Sequence, residues 1–186
     1  MLVEIARLLL DLVFSLFGAL LLLRVWMQMT RLPPRNPLSQ GIFQFTNWIV
    51  LPLRRVLPGV GGIDWACVVG AWLCAVVYLV LITAVVGVSP VTVFPRGLLV
   101  ALVLVAKWGG ANLVMWLTLL MAVLSWVNPR ATAMPILQHL LDPLLRPLRR
   151  VIPMLGGFDL SPLALFVLMQ ILLIVLARLS LFFAML

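Results

Sequence analysis

The sequence predicts an all-α membrane protein. It reads as four transmembrane helices in two parallel sequence repeats, each repeat with an interfacial amphipathic segment between its spans. Three observations carry this. The 186 residues are 65% hydrophobic and 10% charged, whereas about a quarter of the residues in a soluble domain are charged. Several apolar runs reach the roughly 20 residues that a helix needs to cross a bilayer. And the stretch PLRRVLPGVGGID (52–64) returns as PLRRVIPMLGGFD (147–159), with nine of thirteen positions identical. The apolar runs lack the alternation of a barrel strand. Hydrocarbon offers a bare amide no partner, so the runs must close their own hydrogen bonds as helices.

The first span is expected over about Leu8 to Met29. Glu4, Arg7 and Asp11 share one helix face and can pair along it. Asp11, Ser15 and Gly18 form a polar, small-residue stripe. It reads either as a helix–helix contact or as an intramembrane acid in a pathway. Arg24 and Trp26 mark the far interface. TRLPPRNPL ends the helix in a turn. Ser39 to Leu57 is amphipathic, with Ile42, Phe45, Ile49, Leu53 and Val56 on one side and Gln40, Gln44, Asn47 and Arg54 on the other. That pattern suits a helix lying in the interface plane, kinked or divided at Pro52. The glycines of PGVGGID reverse the chain. Asp64 is placed to cap the second span, about Trp65 to Val86, or to pair with a nearby arginine.

The third span, about Leu98 to Val127, is too long for a simple crossing and contains Lys107, Gly109, Gly110 and Asn112. Either it tilts or kinks at the glycines, or Leu98 to Ala106 lies flat at the outer interface and the span begins at Gly109. On the first reading Lys107 is an intramembrane charge, with Asp11 a conceivable partner. Ala133 to Ile152 is the second amphipathic segment, and Asp142-Pro143 looks like a helix start inside it. Asp159 and Ser161-Pro162 compete to cap the fourth span, about Pro162 to Phe183. The domain division is therefore 1–90 and 91–186. Two spans per half return the chain to its starting side, so the repeats are parallel. Nine of the thirteen arginines and lysines flank the two inter-span segments, which places these segments in the cytoplasm and both termini outside.

The remaining chemistry is sparse. A net charge of +8 would suggest nucleic acid in a soluble protein. Beside membrane spans it reads as topology and contact with anionic lipid, so nucleic acid is not an expected partner. Cys67 and Cys74 are seven apart on a helix, about 10 Å, beyond disulfide reach. With His139 the single histidine and no C-x-x-C, no metal, cofactor or covalent haem site is expected. His139 and Asp142 share a helix face, but without a nucleophile they do not make a catalytic set, and no catalytic residue is expected. The N-terminus carries acidic residues and no A-x-A site, so it is expected to stay attached.

The doubled P-L-R-R-V-x-P-x-x-G-G-x-D, with LLLRVWMQ, NPLSQ, SWVNP and DPLLRPLRRVIPMLGGFDLSP, resembles the YGGT family of bacterial membrane proteins, also called YlmG-like. The resemblance covers nearly the whole chain. It departs where the first copy has Asn47-Trp48 and the second Asp142-Pro143. The resemblance implies a small multi-pass protein of the bacterial inner membrane, without catalytic residues to carry over. Its plastid relatives are tied to cytochrome assembly and nucleoid distribution, and bacterial relatives to cell division or osmotic tolerance.

Two function classes follow. A non-enzymatic scaffold or assembly factor would use Arg54, Arg55, Arg149 and Arg150 to hold anionic headgroups or a membrane-protein partner. The bland alternative is that these arginines only fix topology and snorkel to phosphates. A small transporter or channel component would use Asp11, Lys107 and Asn112, and with four spans would work as a homo-oligomer.

Overall fold

The computed structural model describes residues 1–33, 37–57, 59, 64–128, 130–152 and 159–185. Its elements are α1 (Leu2–Met29), α2 (Pro37–Val56), α3 (Trp65–Val86), α4 (Pro90–Val105), a π-helical segment (Ala106–Asn112), α5 (Leu113–Val127), α6 (Met134–Val151) and α7 (Ser161–Met185). Among the described residues four helical stretches are long and apolar enough to cross a membrane: Leu2–Met29, Trp65–Val86, Pro95–Val127 and Ser161–Met185. The Gly-Gly turns expected at 61–62 and 156–157 lie outside the described residues.

α1 and α3 pack lengthwise, and the sequence explains why they meet. Every buried residue of α3 is small: Ala66, Cys67, Gly70, Ala71, Cys74 and Ala75. These recur in pairs every four residues, so they form one smooth stripe. Without a hydrophobic force between helices in lipid, close approach along such a stripe supplies the packing energy. Leu21 and Val25 of α1 lie against it together with Val50 of α2. Both cysteines are free and buried. α3 stops at Gly87, whose φ of +81° closes the helix in the left-handed region.

Leu98 to Ala106 is not a separate segment before the third span. Backbone angles stay helical at Ala106 (φ −62°, ψ −38°) and Leu113 (φ −58°, ψ −50°), so α4, the π segment and α5 form one continuous helix. Burial on two sides holds it: Ala101 and Trp108 pack with Ala75, and Val103 and Ala111 with Leu176 of α7. Gly18 and Gly109 serve contact. A Cβ on Gly18 would meet the Trp108 ring, and one on Gly109 would collide with Leu22, whereas Gly110 has open space beside it. α7 is the most open crossing, with Ser161, Leu165 and Leu176 its buried residues.

α2 and α6 meet the tip of α1 at one end of the bundle, where Ile42, Leu140, Leu23 and Met27 share a cluster. The indole N–H of Trp26 donates to the carbonyl of Leu140 at 2.8 Å. Each is a single helix, so α2 is not divided at Pro52 and α6 does not start at Asp142-Pro143. Pro52 lies inside α2, and Pro143 and Pro147 inside α6. An interior proline costs about 3 kcal/mol. In α6 the burial of Leu137, Leu140, Leu141 and Leu145, at roughly 1.5–3 kcal/mol each, is of the size needed to offset two. Asp142 is therefore mid-helix and caps nothing. α2 also divides its faces differently from the expected stripe. Ser39, Ile42, Thr46 and Val50 point inward, while Phe45 and Trp48 are 67% and 68% exposed.

Candidate functional site: the basic end of the bundle

Where α2 turns into α3, Arg54 and Asp64 meet. The Nε–H of Arg54 donates to Asp64 Oδ2 at 2.9 Å, and Nη2 reaches the same oxygen. Gln28 Nε2 (3.4 Å) and the thiol of Cys67 (3.2 Å) also donate to it. Asp64 is 6% exposed, and its Oδ1 has no partner among the described residues. It occupies the N-cap position of α3, but its side chain makes no capping hydrogen bond, because the carboxylate is drawn off to the arginine. Burial alone would raise its pKa. The hydrogen bonds from Arg54 and Cys67 outweigh that, and the carboxyl lies below its ordinary value. For Arg54 the hydrogen bond to Asp64 holds the guanidinium pKa above its usual value.

The same contact recurs between α6 and α7. Arg149 Nε–H donates to Asp159 Oδ2, again at 2.9 Å and again ten residues apart. Here the second oxygen does cap: Asp159 Oδ1 accepts the backbone N–H of Ser161 at 2.9 Å. Burial opposes ionisation of Asp159, but the hydrogen bonds from Ser161 and Arg149 hold its pKa below the ordinary value. Asp142 bonds Arg146 at 2.6 Å and lies 3.9 Å from Arg149. Arg55 and Arg150, the second members of the two doublets, are exposed. Among the described residues neither is in an ion pair.

Sequence reasoning missed the residue that ties α2 to α1. Arg24, assigned above only to mark the interface, is 3% exposed. Its Nη1 donates to Thr46 Oγ1 at 2.7 Å and to Asn47 Oδ1 at 2.9 Å. Its guanidinium carbon lies 4.6 Å from the centroid of the Phe43 ring. Asn47, expected on the outer polar side of α2, thus faces α1. The available signal was a lone charge within LLLRVW, since a charge among apolar neighbours demands a partner. His139 does not pair with Asp142. Its Nε2 lies 2.7 Å from the carbonyl of Thr30, and because a carbonyl only accepts, that nitrogen carries the proton.

At the other end of α1, Asp11 and Lys107 line one polar cavity of about 410 Å³ with Glu4, Arg7 and Tyr78. The Tyr78 hydroxyl donates to Asp11 at 3.3 Å. Asp11 and Lys107 make no ion pair with each other, and Asn112 is half-buried at the end of the π segment. Among the described residues no three His, Cys, Asp or Glu side chains group as metal ligands.

The CCB3/YggT family model matches residues 3–85 and 99–180. YggT of Escherichia coli K12 is 38% identical over 164 residues, 88% of this chain and 84% of its own. A Vibrio alginolyticus protein from the proC 3′ region is 36% identical over 158 residues, 84% of this chain and 85% of its own. A Pseudomonas aeruginosa protein is 33% identical over 159 residues, 84% of this chain and 80% of its own. All three are uncharacterised. No solved structure matches the chain. With its doubled arginine–aspartate motif and both halves covered by the family model, the chain belongs to the CCB3/YggT family.

Proposed function

We propose that this protein is a non-enzymatic scaffold or assembly factor of a bacterial inner membrane, built as two parallel repeats. In this reading α2 and α6 lie at the cytoplasmic interface, both termini are outside, and the platform presents Arg55 and Arg150 to an acidic partner or anionic headgroups. One observation carries the reading: the arginine doublets divide their work. Arg54 and Arg149 are committed to Asp64 and Asp159, which leaves one exposed, unpaired cation at the end of each platform helix.

The test is photo-crosslinking in native membranes from probes placed at Gln44 and Gln138, both exposed. Crosslinked partner bands are expected with the native chain and are expected to fade in an R55Q/R150Q double variant that still inserts at normal levels. Bands of unchanged intensity in that variant would sink the platform reading. A cytoplasm-only reporter fused to the C-terminus should stay dark; a lit reporter overturns the orientation.

A second reading, a small transporter or channel component working as an oligomer, rests on the polar cavity of Asp11, Tyr78 and Lys107. It requires ion flux in proteoliposomes that D11N abolishes. Absence of flux from the native protein removes it.

A further inference from the structure

A cleft of about 1290 Å³ opens between α1, α2 and α3, beyond the roughly 300–1,000 Å³ usual for a small-molecule pocket. Every side chain on its wall is apolar, a glycine or a cysteine. Phe17 and Leu20 of α1, Phe45 and Trp48 of α2, and Leu73 and Val77 of α3 mark its extent. We infer that this cleft binds one anionic phospholipid of the surrounding bilayer, with an acyl chain along the apolar wall and the phosphate at Arg55.

The polarity of the site argues for that occupant. Trp48, Pro52 and Arg55 stand at i, i+4 and i+7 on α2, so they share a face. The first two line the cleft, and Arg55 follows one turn beyond. Arg54 is held by Asp64, so Arg55 supplies the free charge. Trp48 is exposed, and its ring lies 5.6 Å from that of Phe17, which gives an acyl chain an aromatic wall below Arg55. A second copy of the chain or a partner helix would cover the apolar wall equally well. Neither accounts for a lone cation at one end, whereas a lipid with an anionic head and an apolar tail matches both parts. The inference rests on Arg55 being a free surface cation, as in the platform reading, but needs no partner protein.

Gly41 makes the site testable without unfolding the chain. It lines the cleft, and a Cβ there would meet nothing within 4 Å. Leucine in its place also suits a helix better. The delipidated protein is titrated with phosphatidylglycerol or phosphatidylcholine and followed by native mass spectrometry. One phosphatidylglycerol should bind in preference to phosphatidylcholine. R55Q should weaken it about fivefold, the effect of one arginine at an anionic surface. G41L should weaken the adduct, and R178Q, on α7 and outside the cleft wall, should leave it unchanged. Equal retention of both lipids, or retention that ignores G41L, overturns the site. So does W48C self-crosslinking between two chains in liposomes, which would assign the cleft to a second copy. If partner crosslinks depend on Arg55 and Arg150 while no lipid is retained, the lipid site fails and the platform stands. Lipid retention with crosslinks indifferent to R55Q/R150Q gives the converse.

Discussion

Asp64 and Asp159 occupy the same place in the two copies of the motif, yet they do different amounts of work. The Asp64 carboxylate is 6% exposed and takes several donors on one oxygen. The Asp159 side chain is 29% exposed and its arginine partner 40%, so solvent screens the pair. D64N should therefore cost about 1–3 kcal/mol, and D159N about 1 kcal/mol or less from its ion pair. Urea unfolding of the reconstituted protein should rank them so; equal losses would contradict the burial difference. Acid should act in the same order. Both carboxyls lie below their ordinary pKa. Their stabilisation is complete above the unfolded value, about 3.9, and is lost as pH falls through the folded values. Arg54 adds nothing to this window, since its raised pKa releases a proton only in strong alkali. In D64N the α2–α3 share of the acid loss should disappear. Arg24 is the other decisive residue. A lysine there loses the planar fork, and R24K should detach α2, read as faster cleavage within residues 37–57 by added protease.

The helices were legible wherever a local stop signal agreed with burial. α3 was expected over Trp65 to Val86 and is found there, because Gly87 ends it. α6 was misread because two prolines and an aspartate imitate a helix start, while the leucines that hold it helical act through α5 and α7. The π segment lies beyond local reading altogether. Its geometry follows from Gly109 meeting Leu22 and Trp108 meeting Gly18, contacts to a helix some ninety residues earlier. The two adjacent glycines should then respond oppositely. G109A forces Leu22 aside and should cost about 1–3 kcal/mol, the usual range for overpacking. G110A has open space and should be neutral or mildly stabilising. Thermal unfolding in detergent compares them; matching effects would mean that close approach to α1 is not what Gly109 provides.

At the scale of the molecule, class, family and four spans were available from composition and the doubled motif. The site was available in part. The motif pointed to Asp64 and Asp159 as caps or arginine partners, and the structure draws both to an arginine, with Asp159 also capping. It did not indicate which arginine of each doublet is bound and which is left free, since adjacent residues on a helix face different neighbours only once the helix is placed. Nor did it indicate the cleft, which needs three helices to form. Asp11, a conceivable partner for Lys107 on one of the two readings of the third span, shares a cavity with it without pairing and accepts from Tyr78 instead.

The bonds between the tip of α1 and α6 bear on how the chain could be divided. Trp26 belongs to the first half and Leu140 to the second; His139 belongs to the second and Thr30 to the first. Residues 87–89 join the halves between α3 and α4. Cut at Val88, one fragment would keep α1, α2 and α3 and the other α4 to α7, but each would also carry a polar group whose partner travels on the other piece. Co-expressed fragments should therefore find each other and co-purify, while either alone should be cleared by proteolysis. W26F should weaken that reunion far more than it weakens the uncut chain, since the intact backbone supplies by tethering what the fragments must supply by contact.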